Sequence, residues 1–138
     1  MYDHYVIKTW EHRGKIDKEP YKRERVPLLG PEFYRVDSMK ISVTHIFPKM
    51  KSEYHKHIAD EVIYIVSGFG KVILDKYRYN IEPGMVIFYP KEVFHQVINT
   101  GDETLNLFNV FAPGITLELN AKKTTINNPP SETEIEDR

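Results

Sequence analysis

His55 and His57 are separated by one residue in a stretch that reads as extended chain. On a strand, residues two apart share a face with their Cα atoms about 7 Å apart, so both imidazoles can turn onto one ion at about 2 Å. A helix would splay them. In an unbroken strand Glu61 would lie about 13 Å from His57, so the chain must bend through Ile58-Ala59-Asp60 for the next strand to return the carboxylate. His95 heads a later strand introduced by Pro90, and only tertiary folding can add it to the set. The chain contains no cysteine, which removes disulfides, thiolate sites and cysteine nucleophiles, and leaves nitrogen and oxygen as metal ligands.

The elements around these residues are strands. From about Phe33, β-branched and aromatic residues alternate with polar ones in short runs, predicting strands at 53–57, 61–66, 70–75, 77–81, 85–89, 94–99 and 104–111. Gly68 and Gly70, Pro83-Gly84, and Asn99-Thr100-Gly101-Asp102 supply the turns between them. The clearest alternation sets Met39, Ile41, Val43, His45 and Phe47 against Lys40, Ser42, Thr44 and Ile46. The first set is expected to face inward. Residues 1–32, broken by Pro20, Pro27 and Pro31, read as an extension laid over the barrel or a partner and anchored by Val6, Ile7 and Trp10. The barrel is expected over 33–120, with one more strand at Ile115 to Leu119, and 121–138 reads as a polar, flexible tail. Many short strands and no long helix predict an all-β sandwich or barrel.

The stretch His55-Lys56-His57-Ile58-Ala59-Asp60-Glu61, then six residues, then Gly68, resembles the first signature of the cupin superfamily. Gly84, five residues, Pro90, then His95, three residues, Asn99, is similar to the second. Lys49 stands where the first signature opens with Gly, and Glu92 where the second has a Gly after Pro-x; both are turn positions. The resemblance implies a double-stranded β-helix, or jelly-roll, barrel. It also implies that His55, His57, Glu61 and His95 are ligands of one divalent transition metal ion: manganese, iron, cobalt, nickel or zinc. Three neutral imidazoles and one carboxylate would leave a net positive centre, and a six-coordinate ion would keep two positions open.

That site, as the resemblance implies it, belongs to a metal-dependent enzyme acting on a small oxygen-rich metabolite: a sugar, a sugar derivative, or a carboxylic or keto acid. Isomerisation, elimination or decarboxylation, and oxygenation with iron and dioxygen all fit. The other reading is a non-catalytic cupin that binds or senses a small ligand. His45, in phase with the apolar face of its strand, offers an acid or base beside the ion, or else a hydrogen-bonded core histidine. Tyr54, Tyr64, Tyr79 and Tyr89 are candidate phenolic proton donors, with Tyr64 on the outer surface. Asn99 is expected to fix a turn.

Among the 138 residues, 19 are basic and 20 acidic, so the charge excess of a dedicated nucleic-acid binder is missing. No apolar run approaches the roughly twenty residues of a membrane span, and the N-terminus lacks secretory-signal features. A soluble, cytoplasmic protein is the expectation. Val62, Tyr64 and Val66 on the outer phase of their strand call for cover by the extension or by a second subunit, and a homodimer is expected.

Overall fold

The structure is a computed structural model that describes residues 1–116, 123–126 and 128–138. Its strands are β1 (Lys15–Ile16), β2 (Arg23–Leu29), β3 (Lys40–Ile46), β4 (His55–Lys56), β5 (Asp60–Ser67), β6 (Gly70–Leu74), β7 (Tyr77–Ile81), β8 (Val86–Tyr89), β9 (His95–Asn99), β10 (Leu105–Ala112), β11 (Thr124–Thr125) and β12 (Glu136–Asp137). They form two facing sheets, ordered β1-β2-β3-β10-β5-β8 and β11-β4-β9-β6-β7-β12. This is the all-β jelly roll expected. No helix among the described residues is long and apolar enough to cross a membrane.

Side chains from both sheets meet between the layers. Ile46, Ile63, Ile65, Val72, Val97, Leu105 and Leu107 form the buried core. Gly68 makes the tight exit from β5: its φ is +93°, and a Cβ there would lie 2.8 Å from the Leu105 Cα. Asn99 fixes loops, as expected. Its amide donates to the carbonyls of Ile46 (2.9 Å) and Glu103 (2.8 Å), and its carbonyl accepts from the Gly101 N–H (2.9 Å).

The phase of β3 is the reverse of the expectation. Ser42, Thr44 and Ile46 are the buried residues, while Met39 is exposed and Ile41, Val43, His45 and Phe47 are only half-buried. Register across the sheet shows why. Ser42 pairs Asn109, which pairs Ile63, and Thr44 pairs Leu107, which pairs Ile65; each row faces the interior.

The terminal segments also differ from their expected form. Residues 23–29, assigned to the extension, are a full strand that pairs with β3 from Arg23↔Ile46 to Leu29↔Ile41. Pro27 is accommodated because β1 covers only the Arg25 and Glu24 end of β2's other edge, so no ladder donor is missed there. Val6 and Trp10, expected as anchors, are exposed. Of the expected strand at 115–119, Ile115 and Thr116 lie in no strand and the rest falls outside the described residues. In the expected tail, β11 pairs with β4 and β12 runs parallel to β7. Arg78 holds this end, bonding Asp137 at 2.6 Å and Glu132 at 2.8 Å.

Candidate metal centre

Cross-strand pairing sets two of the histidines opposite each other: His55 on β4 is the register partner of His95 on β9. His57 follows β4 at the bend through Ile58 and Ala59, and β5 then carries Glu61 in the opposite sheet. The expected bend therefore forms, and the four side chains come together. The ring centroids of His55, His57 and His95 lie 4.6 to 5.6 Å apart. Glu61 Oε1 lies 3.0 Å from His57 Nε2 and 3.7 Å from His95 Nε2, so the carboxylate sits beside two of the three rings.

Each ring is tied down by the backbone in the same way. His55 Nδ1 donates to the Glu53 carbonyl, His57 Nδ1 to the Ala59 carbonyl and His95 Nδ1 to the Val93 carbonyl, each at 2.9 Å. A carbonyl only accepts, so these bonds fix the Nδ1–H tautomer and leave the Nε2 lone pairs for an ion. One candidate ligand atom from each histidine lies within 4.8 Å of the other two.

This donor set fits a metal ion. His95 Nε2 is buried with no hydrogen-bond partner among the described residues, a costly state for a polar atom unless a cation completes it. His57 Nε2 and Glu61 Oε1 are two acceptors at 3.0 Å, a contact that only a proton or a cation between them makes favourable. Two ligands about 2.1 Å from one ion and at right angles to each other stand about 3 Å apart. Burial pushes His55 down to about 3, aided by the charge of Lys123, and His95 down to about 4, partly offset by Glu61. Both rings are therefore neutral at pH 7, the form that ligates.

The histidines line a cavity of about 630 Å³, a usual size for a small-molecule site. Glu61 is oriented through a relay: Asn109 Nδ2 donates to Glu61 Oε2 at 3.0 Å, and Thr44 Oγ1 donates to Asn109 Oδ1 at 2.9 Å. Tyr89, the register partner of Glu61, stacks on His95 with centroids 4.0 Å apart, and its hydroxyl is buried without a partner among the described residues. Burial, reinforced by Glu61, raises the Tyr89 phenol well above its ordinary value, so it keeps its proton.

His45 is not in this cavity. It belongs to the outward phase of β3, and its Nδ1 lies 2.6 Å from Asn106 Oδ1; Thr44, next to it, takes the inward place. Tyr64 is exposed, as expected, and so is Tyr79; Tyr54 donates to the Asp75 carbonyl at 2.9 Å. Sequence reasoning missed the polar lining: Thr44 and Asn109, and the basic side chains Arg23, Arg25, Lys40 and Lys123. The Arg23-x-Arg25 alternation was the available signal, masked by the neighbouring charges and Pro27.

A double-stranded β-helix barrel with inward-facing histidines defines the class of protein. The family model for the Cupin domain matches residues 42–111, and the chain belongs to that family. An uncharacterised protein of Methanocaldococcus jannaschii is 27% identical over 81 residues, covering 58% of this chain and 65% of its own length, so the match spans less than two thirds of that relative. Among solved structures, one described as a predicted oxalate decarboxylase from Thermotoga maritima has a TM-score of 0.71 at 23% identity, covering 78% of this chain and 98% of that one. A conserved protein with a double-stranded β-helix domain from Klebsiella pneumoniae has a TM-score of 0.68 at 17% identity, covering 88% and 96%. At these identities the likeness concerns the fold.

Proposed function

We propose that this chain is a metal-dependent enzyme acting on a small oxygen-rich metabolite, with His55, His57, His95 and Glu61 holding one divalent transition metal ion. The observation that carries the reading is the shared tethering of three imidazoles by backbone carbonyls, which frees three Nε2 atoms beside one buried carboxylate. When bound, such an ion supplies Lewis acidity to substrate oxygens, or a site for dioxygen if it is iron.

The chain's own residues do the rest. Asn109 and Thr44 hold the Glu61 carboxylate in one orientation. Ile46, Ile63, Val97 and Leu107 form an apolar floor that keeps bulk water from the reacting end. Tyr89 keeps a phenolic proton at its Oη, ready to donate to a substrate oxygen. Isomerisation, elimination or decarboxylation, and oxygenation all remain within this class. The likeness in fold to a protein described as a predicted oxalate decarboxylase supports acid chemistry as a starting point.

The test is a screen of sugars, sugar derivatives and carboxylic or keto acids against metal-loaded protein, in air and under strict anaerobiosis, with His57→Ala alongside. The reading expects conversion of at least one compound by the wild type and loss of it in the variant. Ligand returned chemically unchanged throughout would contradict it. Oxygen consumption coupled to conversion assigns oxygenation; anaerobic turnover assigns isomerase or lyase chemistry.

We also infer that two copies pair through the outer face of β5 and β8. Tyr64 is 43% exposed and Phe88 51%, with Val66 and Val86 exposed beside them, so the N-terminal extension does not cover this apolar face.

A further inference from the structure

The lining of the cavity is electrically one-sided. Arg13, Lys15, Arg23, Arg25, Lys40 and Lys123 border it, and among the described residues Glu61 is the only bordering carboxylate. Several of these cations are matched from behind. Arg25 pairs with Asp17 at 2.9 Å, Lys123 with Glu53 at 3.1 Å, and Arg13 with Glu24 at 3.8 Å, while Arg23 reaches both Asp17 and the Lys51 carbonyl. Lys40 differs. Its ammonium lies 5.8 Å from the centre of the Phe111 ring, and among the described residues no carboxylate forms an ion pair with it. It is half-buried, and the carboxylates that act on it, Glu32 and Glu61, do so without a close ion pair among the described residues.

Register fixes where Lys40 stands relative to the histidines. Lys40 pairs Phe111, Phe111 pairs Glu61 and Glu61 pairs Tyr89, one transverse row across β3, β10, β5 and β8. Adjacent strands are about 4.8 Å apart, so the Lys40 backbone lies about 10 Å from that of Glu61. Arg25, opposite Thr44, flanks the same side of the cavity. A cleft with low-dielectric walls and one sign of charge concentrates ions of the other sign. The Phe111 ring stands between Lys40 and the histidines, its centre 5.8 Å from the Lys40 ammonium and 5.4 Å from the centre of the His57 ring.

We propose that the reactant carries an anionic group, carboxylate or phosphoryl, received by Lys40 and Arg25, while its other end lies at the histidines. This rests on the small-metabolite reading above and narrows it to anions. Neutral sugars are thereby disfavoured. Lys40 and Arg25 set specificity rather than perform chemistry.

The test uses the full chain, stripped of metal with a chelator that is then dialysed away, so that no anion can bind through an ion. Succinate, inorganic phosphate and neutral glycerol are titrated by calorimetry and thermal shift into wild type, Lys40→Gln, Arg25→Gln and the remote control Lys71→Gln. The wild type and Lys71→Gln should bind succinate or phosphate at least tenfold more tightly than glycerol, and more weakly as salt rises. Lys40→Gln should lose tenfold or more, and Arg25→Gln serves the same purpose if the first variant does not fold. A preference for succinate assigns a carboxylate, and one for phosphate a phosphoryl group. Equal binding of glycerol and both anions, or undiminished anion binding in a folded Lys40→Gln or Arg25→Gln protein, would overturn the proposal. Metal content is measured separately, so a failure of metal loading counts against the preceding reading and leaves the anion result standing.

Discussion

Asn109 donates a 3.0 Å hydrogen bond to the Glu61 carboxylate from the neighbouring strand, and both groups are buried. The oxygen it engages is Oε2, leaving Oε1 turned toward His57 and His95. Partners of this kind hold a ligand's orientation, and removing them usually weakens metal binding by about 10 to 100-fold. Asn109→Ala should therefore bind metal about 10 to 100-fold more weakly in a competition titration with a chelating dye, although Glu61 and all three histidines remain. A change under threefold would remove Asn109 from this role.

The metal-free protein should lose stability as pH falls from about 6.5 toward 4. Burial, with Lys123 for His55, holds the folded values near 3 and 4, below the ordinary imidazole value of 6.5. Between those limits the unfolded chain binds protons that the folded chain refuses, so stability rises with pH and is fully present above the unfolded value. The slope is at most about 1.4 kcal/mol per pH unit for each histidine. Urea unfolding at pH 7 and pH 5 should show a clear drop for wild type and a smaller one for His55→Gln/His95→Gln; equal drops would contradict the assignment.

Glu92→Gly should stabilise the fold. Glu92 has φ +65°, in the left-handed region, where an L side chain costs roughly 1 to 2 kcal/mol. Its ion pair with the half-buried Lys56 is long, 3.5 Å, and open to solvent on the Glu92 side, so little is lost with it. A net gain of about 0.5 to 1 kcal/mol is expected after the greater chain entropy of glycine, read as a raised urea midpoint. A lowered midpoint would count against strain at this turn.

Light scattering on a sizing column should report a dimer at micromolar concentration. Tyr64→Lys/Phe88→Lys should run as a folded monomer, because the substitutions place charges on the uncovered face of β5 and β8. A monomeric wild type would dismiss the pairing.

Much of this architecture could be read from residue order. Alternation located β5 to β10 closely, because turn residues punctuate them, and the two signatures placed His55, His57, Glu61 and His95 in one set before any geometry was known. Lys49 and Glu92, the two departures from the signatures' glycines, both take φ +65°, so the backbone turn persists without the residue that suits it. The inward face of β3 was misread for a specific reason: the interior here is a polar cavity as much as an apolar core. Ser42 and Thr44 therefore point inward, and Ile41, Val43 and His45 take the outer phase. The basic lining was hard to see because only Arg23 and Arg25 share a strand and a spacing, masked by neighbouring charges, while Lys40 and Lys123 come from separate segments. The segment 121–138 was expected as a polar, flexible tail, yet Arg78 pairs with Glu132 and Asp137 and β12 joins the sheet beside β7.

Elemental analysis of the purified protein, wild type beside His57→Ala, tests the metal centre most directly. The account predicts close to one equivalent of a transition metal per chain in the wild type and severe depletion in the variant. Equal metal content in the two, or none in the wild type after incubation with manganese, iron, cobalt, nickel and zinc in turn, would contradict it.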